Sequence, residues 1–189
     1  LITNSTSITA SGGAGSTSDG ANAGNITLRG GTVTLDASVL TASGGAGNGT
    51  SFAGGSGGTI SVTSDAGGIT STGAGAMTAN GGAASGTAAA GGKGGTVTLT
   101  NTANSTGTID LPISQIVANP GRSVGSTEAL AAGKIIVNND ATAATDTILG
   151  ALFNDGGVWG NGGDISITTT GTLSMGSISA SGATQNGRK

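Results

Sequence analysis

The chain has 189 residues, of which 40 are glycine and only 8% are charged, with a net charge of -3. So low a charge excludes the usual disordered composition, which couples low hydrophobicity to high net charge. Six scattered Lys and Arg make no patch able to neutralise nucleic-acid phosphates, and the absence of Cys and His removes disulfides, thiolate chemistry and the commonest metal ligand.

No apolar run reaches the ~20 residues of a membrane-spanning helix, and no signal peptide is visible. The chain opens at Leu1 without an initiator Met, so it is expected to be a segment or processed piece of a longer polypeptide. Residues 1–189 show no internal boundary and read as one domain.

The first element is Ile8-Thr9-Ala10-Ser11-Gly12-Gly13-Ala14, and it recurs. Clear copies stand at Leu40–Ala46 and Met77–Ala83, and looser ones start at Ile116, Leu152 and Ile178. The Ala position falls at Ala10, Ala42, Ala79, Ala118, Asn154 and Ala180, at spacings of 26 to 39 residues. A second motif keeps step: Asn25–Leu28, Thr59–Val62, Thr96–Leu99, Lys134–Val137 and Asp164–Ile167, each directly preceded by glycine. A weaker third follows at Thr32–Leu35, Gly68–Thr70, Thr108–Leu111 and Thr172–Met175, with its copy near Thr147–Leu149 left without a register.

Apolar and polar residues alternate with period two in these motifs, and many are β-branched, which is the pattern of strands. No window carries a 3.6-residue apolar stripe, so helices are excluded. Three short strands per repeat, none able to bury a face alone, predict an all-β parallel β-helix of about five to six coils. One inward stack is then Ile8, Leu40, Met77, Ile116, Leu152 and Ile178. A second is Ile26, Ile60, Val97, Ile135 and Ile165, with Leu28, Val62, Leu99, Val137 and Ile167 beside it. The small Ala positions suit a tight corner, and Lys134 and Asp164 should lie side by side in adjacent coils as an ion pair.

Between these strands run Gly12–Gly24, Gly44–Gly58, Gly81–Gly95 and Gly156–Gly163. Solenoids gather their insertions at one corner, so these segments should form a ridge of ordered loops along one side. Asn101–Thr108 and Asn138–Thr147 read as insertions at another corner.

No constellation spells a reaction. The nine acids (Asp19, Asp36, Asp65, Asp110, Glu128, Asp140, Asp146, Asp155 and Asp164) fall at unrelated points of the repeat. Sugar-cleaving sites need grouped carboxylates and would be expected to show aromatics lining a cleft, whereas Phe52, Phe153 and Trp159 are the whole aromatic set. Asp in such positions is a common turn former. The cluster Asn154, Asp155, Asn161 and Asp164 has the oxygens for a cation, but turn formation explains it more simply. No glycine cluster ends in the Lys-Ser/Thr of a phosphate loop. The four sequons, at Asn4, Asn25, Asn48 and Asn104, are the chance yield of this composition. No cofactor is expected. Thr9, Thr41 and Thr78, and the ladder Thr27, Ser61, Thr98, Ile136 and Ser166, face outward; flat hydroxyl ladders of this kind suit ice, although Ile136 interrupts this one.

The alternation of Ile-Thr-Ala-Ser-Gly-Gly-Ala with Gly-Gly-Thr-Ile-Ser-Val-Thr and Gly-Thr-Val-Thr-Leu resembles the repeat regions of filamentous-haemagglutinin-like exoproteins. That resemblance covers the whole chain through repeat style. It implies a right-handed β-helix, secreted by a two-partner route, at a bacterial cell surface. The secretion domain of those proteins is not recognisable here. The expected function is therefore an extracellular structural or adhesive element, not an enzyme. Its partners would be further copies or further coils of itself, and possible cell-surface carbohydrate, with neither nucleic acid nor membrane insertion. The second expectation is a binding module that grips carbohydrate or ice through the glycine ridge or the hydroxyl ladders.

Overall fold

The computed structural model describes residues 2–4, 6–36, 38–102, 106–125, 130–143, 145–156 and 160–182, without the side chain of Ile113. Glu128, Trp159 and the sequon at Asn104 therefore lie outside the described residues.

The described chain is all β, with no helix, and every pairing between its strands is parallel. It winds as a β-solenoid of about four turns. The strands are β1 (Ile2–Asn4), β2 (Ile8–Thr9), β3 (Ile26–Leu35), β4 (Val39–Thr41), β5 (Thr59–Thr70), β6 (Ala76–Thr78) and β7 (Thr96–Asn101). They continue with β8 (Ile109–Val117), β9 (Lys134–Asn139), β10 (Thr147–Phe153), β11 (Asp164–Thr169), β12 (Leu173–Met175) and β13 (Ile178–Ser179).

Three columns of strands form the walls. The first aligns Ile26, Ile60, Val97, Ile135 and Ile165, with Leu28, Val62, Leu99, Val137 and Ile167 two residues on. The second aligns Ile2, Val33, Ile69, Ile109, Thr147 and Leu173. The third aligns Ile8, Leu40, Met77, Ile116, Leu152 and Ile178. Successive side chains of a strand point to opposite faces, so alternation sends each of these residues inward. Ile60, Val62, Val97, Leu99, Ile135 and Val137 are fully buried, and each such burial contributes about 1.5–3 kcal/mol.

In β3 and β5 the first and middle strands of a coil are continuous. Each runs straight through that corner as one bent strand, and their register shifts between Gly30 and Thr32. Gly68 makes the bend possible, at φ +94°, where a Cβ would stand 2.3 Å from the Thr108 carbonyl oxygen. The copy at 147–149 has a definite register, with Thr147 beside Ile109 and Leu149 beside Leu111.

At the same corner the core turns polar. Gly30, Ser64, Asn101, Asn139 and Thr169 are aligned across the coils, and Ser64, Asn101, Asn139 and Thr147 are completely buried. Asn101 Nδ2 donates to Asn139 Oδ1 at 3.0 Å, and Asn139 Nδ2 to Thr147 Oγ1 at 2.9 Å. Thr147 stands where the neighbouring coils carry Ile or Leu, and its hydroxyl also bonds Thr169 at 3.0 Å. Buried amides are mostly hydrogen-bonded in folded proteins, and this chain of bonds ties three coils together.

Candidate functional site

The corner Ala and the glycine preceding the next strand form a neck. Gly24 N–H donates to Ala10 O at 2.8 Å, Gly58 to Ala42 at 2.8 Å, Gly95 to Ala79 at 2.6 Å and Gly133 to Ala118 at 2.8 Å. Gly163 does the same to Asn154 at 2.8 Å. Each loop is thus closed where it leaves the coil. Ala42, Ala79 and Ala118 are fully buried there. Asn154 replaces Ala in the last neck, and its side-chain Nδ2 donates to Gly133 O at 3.0 Å and Asp164 O at 2.8 Å.

Beyond the neck the loop is two extended arms whose hydrogen bonds repeat every third residue. Outgoing arms bond coil to coil: Gly12 to Ser43 and Gly15 to Ala46, then Gly44 to Asn80 and Gly47 to Ala83, all at 2.9 Å. Return arms do likewise, with Gly20 to Ala53 and Ala23 to Ser56 at 2.9 Å, then Gly54 to Ala90 at 3.0 Å and Gly57 to Lys93 at 2.9 Å. A third set zigzags between the arms. Ala21 donates to Gly13, Gly45 to Ala21, Gly55 to Gly45, Gly82 to Gly55, Gly92 to Gly82 and Gly121 to Gly92, at 2.8–3.0 Å. A period of three with every bond made to a neighbouring arm matches the three-residue turn of the polyproline II helix, which makes no bonds within itself. The ridge is two layers of such arms.

Close approach explains the glycines. A Cβ on Gly45, Gly55, Gly82 or Gly92 would lie 1.7–2.0 Å from the carbonyl oxygen of Gly13, Ala21, Gly45 or Gly55 respectively. The third amide of each outgoing triplet faces outward, and a side chain from the preceding coil accepts from it. Asn80 donates to Ser43 Oγ at 3.3 Å, Asn119 to Asn80 Oδ1 at 2.8 Å, Asp155 to Asn119 Oδ1 at 2.7 Å and Ser181 to Asp155 Oδ1 at 2.8 Å. Ser43 N–H and Ser11 Oγ begin this rail at 3.4 Å. The longer Asn and Asp reach farther than Ser and make the shorter bonds. On the return side Ala53, Ser56 and Thr59 donate to Asp19, Asn22 and Asn25 at 2.8, 2.7 and 3.1 Å.

The acids are part of the same stacking. Asp36 accepts from Thr72 Oγ1 of the next coil, Asp146 from Thr172 Oγ1 at 2.5 Å, and Asp155 from the Ser179 hydroxyl. Asp65 reaches back to Arg29 through a two-bond fork, at 2.9 and 3.1 Å, which raises the guanidinium pKa further above its ordinary value. Lys134 Nζ lies 3.8 Å from Asp164 Oδ2, on exposed side chains directly paired in β9 and β11. The Arg29–Asp65 pair escaped the sequence analysis because Arg29 is in register with Thr63, two residues short of Asp65.

Of the Asn154–Asp164 cluster, Asp155 Oδ1 accepts from Ser179 and Ser181 and Asp164 Oδ2 lies 3.8 Å from Lys134 Nζ, whereas the buried Asn154 Oδ1 has no hydrogen-bond partner. Among the described residues no three His, Cys, Asp or Glu gather as metal ligands. A shallow cleft of about 390 Å3 lies between Leu130–Lys134 and Asn161–Asp164. On the outer face of the first column Thr59, Ser61 and Thr63 lie beside Thr96, Thr98 and Thr100 in register.

The stacks change character in the last coil. Ile178 is 49% exposed and Leu173 42%, against 1% or less for Leu40, Ile69, Ile109, Ile116 and Leu152 at matching inner positions. No known protein family, curated protein or solved structure matches this chain.

Proposed function

We propose that the chain is a structural element of an extracellular fibre at a bacterial surface, a right-handed rod of five to six coils counting the partial ones at its ends. Its work is mechanical and adhesive rather than catalytic, and it belongs to the class of filamentous-haemagglutinin-like exoproteins it resembles. The observation that carries this reading is the condition of the last coil. Ile178 and Leu173 are left half-open on a core that is sealed everywhere inside the rod. Half-exposed apolar side chains on a strand edge favour further strand pairing, from the same chain or from another copy. The hydrogen-bonded ridge adds support, since it braces the rod along its length with backbone bonds that no side-chain chemistry requires.

Antibodies raised against the ridge should label intact cells and decorate surface fibres in electron micrographs. Labelling that appears only after lysis defeats the proposal.

A second reading is favoured by the uncharged panel of Thr59, Ser61, Thr63, Thr96, Thr98 and Thr100. These hydroxyls repeat at about 4.8 Å between strands and about 6.6 Å along them, and the five β-branched Thr among them have restricted rotamers. Such a panel suits a regular surface, ice or a crystalline carbohydrate. Ice-recrystallisation and glycan-array measurements on Thr98→Lys against the parent chain test it, and equal responses remove it.

A further inference from the structure

Four asparagines directly precede a glycine: Asn48, Asn80, Asn161 and Asn186, the last outside the described residues. In such a pair the glycine nitrogen can attack the neighbouring side-chain amide, because it is held within reach and no Cβ shields it. The fold treats the three described pairs differently. Asn80 belongs to the polar rail: its Oδ1 accepts from Asn119 N–H at 2.8 Å, and Gly81 N–H donates to Asn119 O at 2.9 Å. Both reacting groups are thus engaged by one residue of the next coil. Gly162 is pressed against the last coil, where a Cβ would lie 1.8 Å from the Ala180 carbonyl oxygen.

Asn48 and Gly49 stand at the exposed tip of the loop Gly44–Gly58. Among the described residues neither the Asn48 side chain nor the Gly49 N–H has a hydrogen-bond partner. The tip is held through other atoms: Asn48 N–H donates to Ser18 O at 3.3 Å, and Ser85 Oγ donates to Gly49 O at 3.1 Å. Gly49 sits at φ +128° and Ser51, two residues on, at +124°, a region where side chains rarely settle. We propose that Asn48–Gly49 is a site of spontaneous covalent modification, where the folded chain converts this one asparagine to aspartate and isoaspartate and spares Asn80 and Asn161.

The reaction needs only water. The Gly49 nitrogen, its proton taken by base, bonds to Asn48 Cγ. The Cγ–Nδ2 bond breaks and ammonia leaves with a proton, which closes a cyclic imide. Water then adds across one of the two imide C–N bonds. Opening at Cγ restores an ordinary peptide link with an aspartate side chain, and opening at the Asn48 backbone carbonyl routes the chain through Cγ as isoaspartate. Nothing is oxidised or reduced: water enters and ammonia leaves. Either product puts a carboxylate on a loop that has no charged residue, beside the place where Gly86 of the next coil packs on Thr50 and Ser51.

Hydroxylamine, which attacks the imide and cuts the chain after the asparagine that formed it, tests this on the purified chain. Folded protein in mildly alkaline buffer should yield fragments 1–48 and 49–189. Cleavage at Asn48 should be about tenfold faster than at Asn80 or more, the ratio that two hydrogen bonds to be broken impose, and Asn161 should lag as well. In denaturant the pairs should be cut at similar rates. Without hydroxylamine, tandem mass spectrometry of the aged folded chain should find aspartate and isoaspartate in place of Asn48. Asn48→Gln, whose longer side chain closes a less favourable ring, should lose both signals with its circular dichroism unchanged. Two results overturn the proposal: equal cleavage at Asn48 and Asn80 in the folded chain, or a folded chain that stays intact at Asn48 while the denatured chain is cut there. Neither bears on the fibre reading, which cell-surface labelling decides.

Discussion

Gly82 donates its amide to Gly55 in the preceding coil and accepts from Gly92 in its own, both at 2.8 Å. That double role leaves no room for a side chain, since a Cβ at Gly82 would fall 1.9 Å from the Gly45 carbonyl oxygen. Gly82→Ala should therefore cost about 1–3 kcal/mol, the range for overpacking a close-packed site. Gly13→Ala provides the contrast, because nothing lies within 4 Å of the Cβ it would add. Urea titration of the two variants should show a large drop in midpoint for the first and almost none for the second.

Inward and outward positions of one strand should differ as sharply. Ile60 is completely buried between Ile26 and Val97, and its neighbour Ser61 faces outward. Ile60→Asp places an unpaired carboxylate in the core, a cost that a domain of marginal stability does not survive. Ser61→Asp should fold. Far-ultraviolet circular dichroism distinguishes them, and equal behaviour would contradict the alternation.

The buried Asn139–Thr147 bond is open to a double-mutant cycle. Asn139→Ala leaves the Thr147 hydroxyl only its bond to Thr169 and loses donations to the Asp146 and Thr145 carbonyls, for about 1–3 kcal/mol. Combined with Thr147→Val, the loss should be less than the sum of the two single losses by about 0.5 kcal/mol or more. Strict additivity would show that the bond carries no coupling.

The polar rail makes a gentler prediction. Asn119→Ala removes the acceptor for Asp155 N–H on a half-buried position and should cost about 0.5–1.5 kcal/mol. Asn119→Asp keeps an oxygen there and should recover most of that loss. Thermal melts of the pair are sufficient to decide.

What could be read from the sequence was whatever obeys a period of two. Ile26, Ile60, Val97, Ile135 and Ile165 announce their column through alternation alone, and Ala42, Ala79 and Ala118 mark the corner because size is visible in a letter. The ridge was legible as a row of loops, but the bonding of its arms was hidden because its period is three. Gly54-Gly55-Ser56-Gly57-Gly58 and Gly91-Gly92-Lys93-Gly94-Gly95 display that period, but strand and helix templates are blind to it. The acids misled for a related reason. Asp36, Asp146 and Asp155 sit at unrelated points of the repeat, and only the wound chain shows each reaching a hydroxyl in the next coil. Asn101 and Asn139 follow Leu99 and Val137 at the inward step of the alternation, yet a polar letter at a strand end reads as a turn. Their burial depends on partners from other coils, which no local window contains.

The necks have a consequence for how such a rod can change. Because Ala and Gly clasp each other before the arms depart, the coil receives the same chain direction whatever the loop contains. The last neck, Asn154 to Gly163, closes at the same 2.8 Å as the one from Ala42 to Gly58, around a segment several residues shorter. Residues beyond a clasp are insulated from the core. A foreign peptide spliced at the exposed tip near Thr50 would be carried outward without disturbing Ile60 or Leu40. The rod is thus a display rack, with one mounting point per coil.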